Sequence, residues 1–62
     1  MRLTYRDKIW DLRGGMTLRD AILKAGLDPE AVLGLRDGVL INEETILAND
    51  DVVKLVAVVS GG

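Results

Sequence analysis

Apolar and polar residues alternate with a period of two at the start of the chain, where Leu3 and Tyr5 are set against Arg2, Thr4 and Arg6. A strand sends successive side chains to opposite faces, so this pattern predicts a half-buried strand. Asp7-Lys8 suits a tight turn, and Ile9-Trp10-Asp11-Leu12-Arg13 resumes the alternation until Gly14-Gly15 stops it. The two runs predict a hairpin. From Thr17 the period changes: Leu18, Ala21, Ile22 and Ala25 fall on one side of a helical turn repeat, which predicts an amphipathic helix. Thr17 followed by Asp20 resembles a capping box with the shorter acid in place of Glu. Asp20 and Lys24 are spaced to pair on the wet side, and Gly26 suits the left-handed position that would let Leu27 fold back onto Ile22. Asp28-Pro29 predicts a further short helical turn, since Asp caps and Pro tolerates the first helical position.

In the second half, Val32-Leu33-Gly34-Leu35-Arg36 and Val39-Leu40-Ile41 flank Asp37-Gly38. That dipeptide favours a two-residue type I′ hairpin turn. Simple alternation makes Leu33 and Leu35 the core residues of their strand, and Trp10 reads as a packing residue. Residues 42–51 are polar except for Ile46-Leu47-Ala48, which are expected to plug the core from an irregular connection ending in Asn49-Asp50-Asp51. Val52 to Val59 is the longest and most apolar run, as expected of a strand with neighbours on both sides. Pairing the first and last strands side by side and parallel fits a crossover carried by the helix. The expected fold class is therefore α+β: a mixed sheet of about four to five strands with one main helix packed on one face.

Length and composition narrow the function. With 62 residues the chain makes one domain, and one this small buries only about 60% of the surface its unfolded form exposes. A roomy internal active site is not expected. There is no Cys and no His, so the usual soft nucleophile, general base and zinc ligands are missing, and no enzyme activity is expected. Glu43-Glu44 and Asp50-Asp51 lack the ligand count of a calcium loop and read as solvated loop acids; no metal site is expected. Eight basic and ten acidic residues, interspersed, give a net charge of -2 and no basic stripe for phosphates, which disfavours direct nucleic-acid binding. No signal peptide and no apolar run of spanning length is found, so no membrane association is expected and the cytoplasm is the expected location.

What stands out is the end, where the last strand leads through Ser60 into Gly61-Gly62. Residues 1–59 read as the folded domain and 60–62 as a flexible tail. Glycine adopts backbone angles closed to other residues, so the tail suits passage through a narrow groove, though a frayed end is served by glycine equally well.

Ala25-Gly26-Leu27, Asp28-Pro29-Glu30, Leu35-Arg36-Asp37-Gly38-Val39, an acidic turn and Val58-Val59-Ser60-Gly61-Gly62, in this order, resemble the ThiS/MoaD sulfur-carrier family over essentially the whole chain. The likeness implies a ubiquitin-like β-grasp fold, which the predicted element order fits. It also implies a mechanism. An adenylating, ubiquitin-activating-like enzyme would use ATP to convert the Gly62 carboxylate into an acyl-adenylate, and sulfur from a persulfide donor would displace AMP to leave a thiocarboxylate. Gly61 would serve passage into the partner, Ser60 would mark where body becomes tail, and the carrier would bind no cofactor of its own. The implied recipients are a sulfur-accepting synthase in thiamine or molybdopterin formation, or a transfer-RNA thiolase. Relatives often carry Asp-Gly-Asp before the last strand, where this chain has Asn49-Asp50-Asp51.

If Val53, Leu55 and Ala57 face the helix, Val52, Val56 and Val58 share the opposite face with Lys54. Those valines are candidates for partner binding, or else strand-forming residues enclosed by neighbours. Besides the sulfur carrier, two other readings stay open: a protein modifier whose Gly62 is joined to target lysines, and an interaction module without tail chemistry.

Overall fold

Five strands and one helix follow in the order β1 (Arg2–Tyr5), β2 (Lys8–Asp11), α1 (Leu18–Lys24), β3 (Val32–Arg36), β4 (Val39–Ile41) and β5 (Val52–Ala57), in a computed structural model whose described residues are 1–58. The expected boundary after residue 59 and the tail 60–62 lie outside the described residues. The strands form one sheet in the order β2-β1-β5-β3-β4. β5 occupies the centre, parallel to β1 and antiparallel to β3. This is the mixed α+β sheet expected from the sequence, with its longest apolar run in the middle.

Local signals set most of the elements. Thr17 Oγ1 accepts the backbone N–H of Asp20 at 3.2 Å and caps the helix. At the other end Gly26 has φ 79°, the Gly26 N–H donates to the Leu23 carbonyl and the Leu27 N–H to that of Ile22, so those two carbonyls are satisfied and Leu27 is turned back against the core. Asp37 and Gly38 both have positive φ, 54° and 78°, as a type I′ turn requires.

The first hairpin turns one residue earlier than expected. Arg6 and Asp7 form the turn, with Arg6 at φ 56°, and Tyr5 pairs with Lys8. Tyr5 also lies beside Leu55 on β5. Strand β2 stops at Asp11, although the Leu12 N–H still donates to the Met1 carbonyl. Asp28-Pro29 starts a single turn rather than a helical one: Asp28 accepts the Ala31 N–H on its carbonyl and the Glu30 N–H on Oδ1. Asp20 and Lys24 form no ion pair; on this side of the molecule Arg19 instead meets Glu43 at 3.5 Å.

The core lies between α1 and one face of the sheet. It consists of Met1, Leu3, Leu18, Ala21, Ile22, Val32, Leu47, Val53 and Leu55, with Trp10 and Tyr5 packed at its margin. Of the three residues expected to plug it from the long connection, only Leu47 does so; Ile46 and Ala48 are exposed. Backbone bonds from Gly15 to the Leu47 carbonyl and from Leu47 to the Met16 carbonyl clamp that plug in place.

Strand β3 has the opposite facing from the one alternation predicts. Val32 and Gly34 lie under the helix, whereas Leu33 is 43% exposed and Leu35 half-buried on the other side. The reason is Leu18. A Cβ placed on Gly34 would stand 2.5 Å from Leu18 Cδ2 and 3.3 Å from Val53 Cγ1, so the helix side chain fills the space the glycine leaves.

Candidate functional site

Cross-strand pairing assigns every residue of the uncovered face. One row crosses the whole sheet: Ile9 on β2 pairs with Thr4 on β1, Thr4 with Lys54 on β5, Lys54 with Leu35 on β3, and Leu35 with Leu40 on β4. Toward the end of β5 the next rung is Val56 with Leu33. In the other direction it is Val52, Arg2 and Asp11.

The face divides into two halves. Over β3, β4 and the last part of β5, Leu33, Leu35, Leu40 and Val56 adjoin, with no charge among them. Over β1 and β2 the surface is mostly polar, with Arg2, Thr4 and Asp11 beside one exposed isoleucine, Ile9, and the Arg2 Nε donates to Asp11 Oδ1 at 3.2 Å. Lys54 stands between the halves, exposed, and makes no ion pair among the described residues.

The structure thus separates residues that the sequence grouped. Val56 joins the apolar half, and Val58 follows it by alternation, one residue beyond β5. Its N–H donates to the Ala31 carbonyl at 2.9 Å, which continues the ladder to the last described residue. Val52 sits at the opposite end of the strand beside Arg2. Val53 and Leu55 face the helix as expected, and Ala57 shares their parity but emerges into solvent at the sheet margin. Sequence reasoning assigned Leu33 and Leu35 to the core and gave Leu40 no role. The glycine between two leucines, in a strand facing a leucine-bearing helix, is the signal that could have moved them to the open face.

Two polar side chains near the sheet, Arg36 and Asn49, are committed within the fold. Arg36 donates to Asp51 Oδ2 at 3.2 Å, and the same carboxylate accepts the Ala48 N–H at 2.8 Å, so Arg36 holds the start of β5 rather than standing free. Asn49 Oδ1 accepts the Gly14 N–H at 2.7 Å, tying its loop to the segment before the helix. Among the described residues no group of three or more acids is placed to hold a metal ion. No helix among them is long and apolar enough to cross a membrane.

A five-stranded mixed sheet with parallel central strands and a single helix across one face defines a β-grasp domain of the ubiquitin-like kind. The chain belongs to the ThiS family, whose model matches residues 1–62. It is thus a small ubiquitin-like sulfur-carrier protein, of a family whose members work with an adenylating enzyme and a sulfur-accepting partner. No curated protein matches the chain.

Proposed function

We propose that the chain carries sulfur on the carboxylate of Gly62. A ubiquitin-activating-type enzyme adenylates that carboxylate with ATP, giving AMP as a leaving group that a bare carboxylate lacks. The terminal sulfur of a persulfide donor then attacks the carbonyl carbon and displaces AMP, giving an acyl disulfide. A second thiol of the donor side attacks the donor's sulfur in that S–S bond, forming a disulfide and releasing a thiocarboxylate, whose sulfur is softer and more nucleophilic than oxygen. The sulfur passes to an acceptor in thiamine, molybdopterin or transfer-RNA thiolation, in the cytoplasm.

The observation that carries this reading is the family match, which extends through Ser60, Gly61 and Gly62. Two features are consistent with it. The carrier supplies no catalytic base of its own, having neither His nor Cys, so the chemistry belongs to the partner. The last strand is anchored on both sides, so a tail that follows it leaves from a rigid base. The uncovered face, with Val56 and Val58 on it and Val52 at its far end, is the surface on which a partner docks while Gly61 and Gly62 reach the reaction centre.

The test is the intact mass of the chain after incubation with an adenylating enzyme, ATP and a persulfide donor. A sulfur-for-oxygen increase is expected in the full chain and not in one lacking Gly62. An unchanged mass, with the enzyme active on another carrier, overturns the reading, and isopeptide adducts on lysines in place of a thiocarboxylate would assign the tail to protein modification instead.

A further inference from the structure

We infer that Lys54 selects the partner: the protein that docks on the uncovered face presents an apolar surface with one carboxylate opposite Lys54. This rests on the carrier reading above, since the partner meant is the adenylating enzyme. Lys54 is the middle residue of the row Ile9, Thr4, Lys54, Leu35 and Leu40, so a partner centred on the sheet covers it. Its neighbours on that row are a threonine and a leucine, and the two flanking residues of the same strand face, Val52 and Val56, are apolar. The acid on this face, Asp11, already accepts from Arg2 at 3.2 Å. Free in solution, Lys54 is exposed and its ammonium keeps its water.

Docking changes that balance. Excluding water from an unpaired ammonium is unfavourable unless a counter-charge replaces the water. A wholly apolar partner therefore meets a penalty at the centre of the footprint, whereas one with a carboxylate there gains a charge-assisted hydrogen bond. Leu33, Leu35, Leu40 and Val56 provide contact area that any apolar surface could use. Lys54 provides the discrimination, rejecting partners that lack the acid.

The experiment is steady-state activation of the full chain by its adenylating enzyme, comparing Lys54→Met, Lys54→Glu and Lys54→Arg with wild type. Lys54→Met keeps the stem and removes the charge; it is expected to raise KM about tenfold, with kcat unchanged. Lys54→Glu is expected to raise KM further, about a hundredfold, by setting two carboxylates against each other. Lys54→Arg is expected to stay near wild type, and the salt dependence of KM should weaken in Lys54→Met. Urea midpoints of all variants should match wild type, since Lys54 is exposed. A KM for Lys54→Glu equal to that of wild type overturns this inference while leaving the carrier reading intact. A wild-type chain that the enzyme does not activate at all removes both.

Discussion

On the helix side of the sheet, Leu3, Val53 and Leu55 are at most 2% exposed, while on the other side of the same sheet Leu33, Leu40 and Val52 keep between 43% and 58% of their surface in water. Both faces carry leucine and valine, and one backbone ladder holds both. What differs is cover. Leu18, Ala21 and Ile22 of the helix and Leu47 from the long connection close one face, and nothing in the chain's described residues closes the other. In so small a domain the core rarely supplies more than about 3–5 kcal/mol, so one covered face has to carry the stability. The exposed apolar half is then available for association without being needed for folding.

This contrast can be tested by striking each face in turn. The largest effect is expected from Leu55→Ala, which removes a fully enclosed side chain at the centre of the sheet and should cost about 2–5 kcal/mol. Urea unfolding followed by circular dichroism should find this variant largely unfolded at room temperature; near-native stability would show that the helix side is not the working core.

Gly34→Val comes next. It forces a branched side chain into the space that Leu18 occupies and is expected to cost about 1–3 kcal/mol. Adding Leu18→Ala to that variant should recover part of the loss, because the two side chains compete for one volume. Additive losses in the double variant would mean that Leu18 is not what Gly34 accommodates.

The smallest change in stability is expected from Leu33→Thr, on the same strand but the open face. Threonine keeps strand propensity, and the unfolding midpoint should move by no more than about 0.5 kcal/mol. The same variant should raise KM for activation by the adenylating enzyme. If it instead unfolds the domain as Leu55→Ala does, the two faces are not distinct in the way their exposure implies.

Much of this was legible residue by residue. Asp37-Gly38 fits a type I′ turn because aspartate and glycine tolerate positive φ, and Thr17, Gly26 and the stripe Leu18, Ala21, Ile22 mark the helix and both its ends by contacts within a few residues. The central position of β5 followed from its uninterrupted apolar run. The facing of β3 was not legible, since choosing Leu33 and Leu35 for the core is what apolar content alone favours. The first hairpin's turn was equally ambiguous, with Arg6 giving no sign that it would take a positive φ. For the site, Val56 and Val58 were readable from the parity of one strand, but their neighbours Leu33, Leu35 and Leu40 were not, because they come from other strands.

By itself, then, the sequence determined the strands and the helix, the helix caps, the Asp37-Gly38 turn, the central place of the last strand and a resemblance that the family match bears out, all of them properties of local backbone preference or of residue order. The tertiary structure decided which face of β3 is buried, that Arg36 is bound to Asp51, and that Lys54, without an ion pair among the described residues, stands on the uncovered face between its polar and apolar halves. Each depends on side chains meeting across long stretches of chain. A helix leucine must find a glycine on a strand to settle the facing, and neighbouring strands must bring their exposed residues into one row before a docking surface exists.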